Sequence, residues 1–239
     1  MTSTTSAVRG PGRHLATVVA VVDLTPRMRR VTLRVPTLTA HPLRPAQDVG
    51  LVFADTDGRE LRRRYTIRDA DPAAGTVVLD GILHGHGPGA RWFHDAAVGV
   101  TAELVGPRGK IALDTAATWH LMVGDEAGLP AFAELLAAAP AGCRAVLLVE
   151  VADAAEQLPL PSAAEVSVHW LHRGQTAPGV VDLFAAALPD LPLPDGPGAA
   201  YLLGESKVMV ALRPTVQSRG IAAGAVFLKG YWNLGRAMQ

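Results

Sequence analysis

Four arginines and one aromatic residue stand together in Arg62-Arg63-Arg64-Tyr65-Thr66-Ile67-Arg68, a combination that suits no apolar core. Arg carries a planar fork of donors that pairs with phosphate oxygens. Tyr offers a rigid face for a ring system, and Thr one short hydroxyl that donates or accepts. These are the requirements of a dinucleotide that carries a flat ring. A solvated basic edge strand is the plainer reading of the same residues, since Tyr, Thr and Ile favour strands and charged edges deter unwanted pairing. In a regular strand Arg63 and Tyr65 share one face and Thr66 takes the other. Three contacts to one guest therefore require the strand to end or twist near Thr66.

Four further stretches carry possible chemistry. His84-Gly85-His86-Gly87-Pro88-Gly89-Ala90-Arg91-Trp92 leads into a short helical segment, Arg91 to Ala97. Glycines let backbone amides approach an anion and a helix N-terminus is partly positive, so a phosphate site is reasonable there, as is a plain Gly-Pro turn. Gly85, Gly87 and Ala90 loosely match a dinucleotide fingerprint, but the helix is too short and no parallel strand follows, which excludes a Rossmann loop. His84 and His86 lack a third ligand at suitable spacing, so no metal site is read. Gly124-Asp125-Glu126-Ala127-Gly128-Leu129-Pro130-Ala131 joins an apolar strand to a helix, at the carboxyl end where open sheets bind ligands. Leu203-Gly204-Glu205 ends a later strand. Adjacent aromatics near the C-terminus, in Lys229-Gly230-Tyr231-Trp232-Asn233-Leu234-Gly235-Arg236, read equally as packing.

The elements that position these residues fall into two kinds. Leu15 to Asp23, Arg29 to Val35, Gly50 to Ala54, Arg63 to Arg68, Thr76 to Leu83 and Thr101 to Val105 are short β-type runs broken by turn residues, the pattern of a small antiparallel barrel. Past Ala116 the runs Trp119 to Val123, Ala145 to Val151, Val166 to Leu171, Ala200 to Leu203 and Ala225 to Leu228 lack alternation, as strands covered on both faces do. Helical patterns lie between them, with Leu129, Phe132, Leu135 and Leu136 on one face. The predicted fold is an antiparallel β-barrel domain, residues 14–115, followed by an α/β parallel-sheet domain, residues 116–239, with the boundary near Asp114 to Thr118.

Twenty-two basic and 22 acidic side chains give a formal net charge of zero, which argues against bulk attraction to nucleic acid or an anionic membrane and makes the basic residues act locally. One cysteine, Cys143, forms no internal disulfide and matches no zinc spacing; it reads as a small buried hydrophobe in a reducing compartment. Residues 1–13 lack the apolar stretch of a signal peptide and are expected to be a disordered tail. No apolar run reaches membrane-spanning length. A cytoplasmic protein is expected.

Spacing adds a resemblance. Arg63-Arg64-Tyr65-Thr66 resembles the flavin-binding signature of the ferredoxin reductase superfamily, and the longer run resembles its siderophore-interacting branch. The resemblance implies that Arg63 reaches the FAD pyrophosphate, Tyr65 packs on the isoalloxazine and Thr66 bonds the ring near its reactive nitrogen. Residues 84–92 look like the segment that cradles the pyrophosphate, implicating His84, Gly87, Pro88, Gly89, Ala90 and Trp92. Ala90 stands where that family has Ser, so contacts are expected from the backbone amides of Gly89 and Ala90. Residues 124–131 resemble the family's Gly-Asp-Glu-Thr-Ala-Leu-Pro-Ala at the nicotinamide site, implicating Gly124, Asp125 and Glu126. Gly204 and Glu205 match its Ala-Gly-Glu. The tail resembles Gly-Tyr-Trp-Arg-x-Gly, whose aromatics, here Tyr231 and Trp232, lie near the flavin; Asn233 replaces the usual Arg. The likeness spans Val18 to Arg236.

The resemblance implies an FAD-dependent reductase that takes electrons from NADH or NADPH and delivers them to the iron of a ferric siderophore. Such chemistry needs no acid, base or nucleophile, so no side-chain catalyst is named. Reduced ferredoxin is an alternative donor, and a monomer is expected. A flavin reductase, a flavoprotein recruited to biosynthesis, and a non-catalytic ferric-siderophore-binding protein are the rival readings. The strand ending Val149-Glu150-Val151-Ala152-Asp153 is followed by no Lys or Arg until Arg173, which suits free ribose hydroxyls and favours NADH. Lys229, with Arg62 or Arg64, is expected to form a cationic landing site for the chelate beside the flavin.

Overall fold

The computed structural model describes residues 12–40, 42–54, 57–83, 87–179 and 183–235. The N-terminal tail up to residue 11, His84 with its neighbours Gly85 and His86, and Arg236 lie outside the described residues. In chain order the elements are β1 (Arg13–Thr25), β2 (Met28–Arg34), α1 (Pro36–Thr39), β3 (Asp48–Ala54), β4 (Glu60–Asp71), β5 (Thr76–Ile82), α2 (Pro88–Asp95) and β6 (Thr101–Arg108). They continue with β7 (Trp119–Asp125), α3 (Leu129–Ala137), β8 (Arg144–Val151), β9 (Glu165–His172), α4 (Leu183–Ala187), β10 (Gly198–Glu205), α5 (Ser206–Ser218) and β11 (Val226–Trp232).

The first six strands close into an antiparallel barrel in the order β1-β2-β5-β4-β3-β6. Alternation places Val18, Val31, Leu33, Val49, Leu51, Val77, Leu79 and Leu104 inside, all fully buried. Phe93 of α2 plugs the same core, and Gly81 is required beneath it because a Cβ there would run into the Phe93 ring. The last five strands form a parallel sheet, β11-β10-β7-β8-β9. Their direction of growth reverses between β7 and β10, which makes the carboxyl ends of those two strands a topological switch point. Leu129, Phe132, Leu135 and Leu136 of α3 bury one face of the sheet, and Met209, Leu212 and Val216 of α5 the other. Each such side chain contributes about 1.5–3 kcal/mol of burial.

Antiparallel barrel followed by parallel sheet is the fold class read from the sequence. β4 does not end at Thr66: it runs on to Asp71, and its pairing with β5 slips between Ile67 and Asp69, a local irregularity directly after the hydroxyl residue. Cys143 departs from expectation. It lies in the turn before β8, where its amide donates to Pro140, and is part exposed, because only residues beyond the turn enter the strand. Among the described residues no helix is long and apolar enough to cross a membrane.

Candidate functional site

The two domains meet along a cleft of about 270 Å³. Its barrel wall carries Arg63, Tyr65 and Thr66 of β4 with Asp80 and Ile82 of β5, and its rim is Gly87, Gly89 and Ala90 at the start of α2. The sheet domain closes it with Glu126, Ala127 and Pro130 on one side and Tyr231 and Trp232 on the other. Residues 165 positions apart are joined directly, the Thr66 and Tyr231 hydroxyls sharing a hydrogen bond of 3.1 Å.

The barrel wall has the properties of a ring and phosphate site. Tyr65 leans on Phe93 at 4.8 Å between centroids, and burial pushes its phenol well above the usual range, so it is a neutral packing face. Gly89 lies against the Tyr65 hydroxyl so closely that a Cβ at 89 would collide with it. Arg63 has no carboxylate partner among the described residues; its one described hydrogen bond runs to the Arg62 carbonyl at 2.9 Å. The N-cap of α2, Gly87, supplies no side-chain acceptor, leaving the first amides of that helix open to an anion. A guanidinium with spare donors, uncapped amides and an aromatic face on one wall fit FAD. Arg63 and the amides of Gly89 and Ala90 would hold its pyrophosphate and Tyr65 its ring. Pro88 opens α2 at N1, where its missing N–H costs nothing. Trp92 packs edge-on against Phe93 at 5.0 Å, with the barrel core.

The sheet wall is built differently from a row of cofactor contacts. Gly124 is a close-approach residue, since a Cβ there would strike the Leu203 carbonyl and the Phe132 ring. The Asp125 carboxylate faces inward: it accepts from Ala127 N at 2.9 Å, Glu205 N at 2.9 Å and Trp232 Nε1 at 2.8 Å. Gly204 has no room for a side chain beside it. Burial, reinforced by neighbouring Glu126, pushes the Asp125 carboxyl up to about 6. Glu205 caps α5, accepting from Val208 N at 2.8 Å, and also accepts from Leu234 N at 3.0 Å. Asp125 and Glu205 thus clamp the aromatic tail onto the ends of β7 and β10, while Glu126 alone of the acidic trio lines the cleft.

The three cations read as a landing cluster are not free charges. Lys229 Nζ donates to Asp48 Oδ2 at 2.6 Å and Arg64 Nε to Asp48 Oδ1 at 2.7 Å, so the two cations share one carboxylate of 1% exposure. Lys229 also sits 4.7 Å from the centroid of the Tyr231 ring, and Arg62 pairs with Glu60 at 2.6 Å. Arg62 and Arg64 border a second hollow of about 620 Å³ on the outer barrel face, floored by Gly50 and flanked by Arg59 and Arg108. Sequence reasoning missed Asp48 and Asp80, the latter holding Arg30 in a two-point ion pair at 2.7 Å. The signal was there: each is a lone acid within an otherwise apolar strand.

Barrel, switch point and aromatic-lined cleft together define a ferredoxin-reductase-like fold. Residues 117–235 match the siderophore-interacting protein family and residues 51–111 the siderophore-interacting FAD-binding domain. Uncharacterized protein Rv2895c of Mycobacterium tuberculosis is 37% identical over 198 residues, covering 77% of this chain and 70% of the relative. Ferric vibriobactin reductase ViuB of Vibrio cholerae is 29% identical over 184 residues, covering 74% of this chain and 66% of the relative. The crystal structure of a siderophore utilization protein from T. fusca superimposes with a TM-score of 0.84 at 31% identity, covering 94% of each chain. The chain belongs to the siderophore-interacting protein family, and its cofactor is FAD.

Proposed function

We propose that the protein is an FAD-dependent reductase that takes electrons from NADH or NADPH and passes them to the iron of a ferric siderophore, releasing Fe(II). The observation that carries this reading is the two-walled cleft. The barrel supplies fork, ring face and amides, and the sheet brings its switch point and the Tyr231-Trp232 tail to the same place. The likeness to ferric vibriobactin reductase supports iron in a chelate as the acceptor. FAD, when bound, accepts a hydride and can hand on electrons singly.

The chain's own residues position the reactants. Arg63 and the α2 amides hold phosphate, Tyr65 excludes water from one ring face, and the Thr66–Tyr231 pair places two hydroxyls at the floor of the cleft. Fe(II) binds hard chelate oxygens less well than Fe(III) and is released. The chelate is assigned to the hollow beside Arg62 and Arg64, with Lys229 fixing Asp48 from behind. The test is optical. The purified yellow protein is reduced anaerobically with NADH or NADPH, and a ferric siderophore is then added. Bleaching followed by recovery with the chelate but not with free flavin is expected; recovery with free flavin alone supports a flavin reductase, and no bleaching removes the donor assignment.

A further inference from the structure

The flavin cleft is too small for the whole cofactor. At about 270 Å³ it falls below the roughly 300–1,000 Å³ of ordinary small-molecule sites, and FAD carries an adenosine beyond its pyrophosphate. A second cavity, of about 370 Å³, opens along the same seam between the domains, and Asp80 and Pro130 border both. Its barrel side carries Leu24, Met28, Arg30 and Arg68, and its sheet side Ala133 of α3 and the strap of residues 158–161, Leu-Pro-Leu-Pro. The strap is fixed at both ends. Glu156, 3% exposed, accepts from Thr25 Oγ1 at 2.5 Å, and Ser162 Oγ donates to the Leu136 carbonyl of α3 at 2.6 Å. Between these anchors Pro159 and Pro161 restrict the backbone, so the cavity is a slot with a stiff cover.

We infer that this slot takes the adenosine end of FAD, with the strap and Met28 covering the adenine ring and the guanidinium planes of Arg30 and Arg68 stacking on it. The inference rests on FAD as the cofactor and holds whichever donor and acceptor exchange electrons with it. Arg30 Nε and Nη2 each donate to Asp80 at 2.7 Å, and Arg68 Nη1 donates to Glu134 at 3.0 Å. Each guanidinium thus has a carboxylate of its own, and what it offers a guest is a flat face. Aliphatic walls with such faces suit a neutral heteroaromatic ring rather than a phosphate. The slot is also within reach of the phosphate site. Ile82, which borders the flavin cleft with Gly87 and Gly89, is paired in register with Met28 on the slot floor, and neighbouring strands lie about 4.8 Å apart. The hollow beside Arg62 and Arg64 lies over β3 and β6, on the side of β4 away from β5, and is walled largely by arginines.

Fluorescence titration of the flavin-free protein with FAD and with FMN, which lacks the AMP half, measures the contribution of the slot. Wild type is expected to bind FAD about ten-fold to a hundred-fold more tightly than FMN. Leu160→Trp fills the slot from the part-exposed strap, and Ala133→Leu fills it from α3. Each is expected to bring FAD within about three-fold of FMN while FMN keeps its wild-type affinity. If neither variant folds, the wild-type comparison decides. Wild type binding FMN as tightly as FAD overturns the inference. So does a folded variant that keeps the wild-type ratio, or one that loses FAD and FMN equally. Flavin affinity is read without turnover, so failure here leaves the reductase assignment standing, and absence of bleaching by NADH or NADPH leaves the slot standing.

Discussion

Replacing Asp125 by Asn separates the ionisation of a buried clamp from its hydrogen bonding. The carboxyl is fully buried and its pKa is raised from 3.8 to about 6. At about 1.36 kcal/mol per unit, ionising it costs the folded state about 3 kcal/mol. Below about pH 4 the group is neutral in both states and this cost is absent. Between about pH 4 and 6 the unfolded chain releases its proton while the folded chain keeps it, so stability falls as pH rises. Above about pH 6 both states are ionised and the full cost remains. Asn cannot ionise, but it turns an NH₂ toward one of three backbone or indole donors, an offset of about 1–3 kcal/mol that does not vary with pH. Other groups titrate in the same window. Glu134 is pushed up to about 7, chiefly by burial, while Asp23 and Glu60 are held below the carboxylate range by Arg29 and by Arg13 and Arg62. Subtracting the variant's curve from the wild type's cancels them. Denaturant unfolding from pH 4 to 7.5 is the assay, with the wild-type minus variant difference expected to fall by about 3 kcal/mol as pH rises. A difference flat to within about 0.5 kcal/mol would mean that the carboxyl is not strained by burial and would refute the clamp argument.

Arg63→Ala removes a guanidinium with no carboxylate partner among the described residues; FAD affinity should drop about ten-fold to a hundred-fold while stability of the apoprotein barely changes, and unchanged FAD affinity in fluorescence titration would remove the phosphate assignment. Gly89→Ala drives a Cβ into the Tyr65 hydroxyl; displacement of the ring face should lower the flavin content of the purified protein, and full flavin content with unaltered affinity would place the ring site elsewhere. Lys229→Ala leaves buried Asp48 with Arg64 alone; a stability loss of about 1.5–3 kcal/mol is expected. Its effect on the KM of anionic and near-neutral ferric chelates should be equal, and a selective loss for the anionic chelate would restore Lys229 as a landing charge.

The fold class and most of the elements were legible in the chain itself, because both rest on local periodicity. Alternation from Leu15 to Val105 and unbroken apolar runs from Trp119 onward follow from which faces each strand buries, and burial on one face or two leaves its mark residue by residue. Arg63, Tyr65 and Gly89 stand out in the chain for a similar reason, since fork, ring and bare backbone are demands of a ligand on residue type, and the structure brings the three to one cleft. What the chain does not encode locally is which charges meet. Lys229 and Asp48 are separated by 181 positions and Trp232 and Asp125 by 107, so the ion pair of the one and the hydrogen-bonded clamp of the other are visible only in the fold. Arg173 reads in sequence as a distant cation after β9, and only the parallel register of β7, β8 and β9 delivers it to Glu126 and Glu150. Electrostatic role depends on desolvation and distance, and both are set where the barrel and the sheet close on each other.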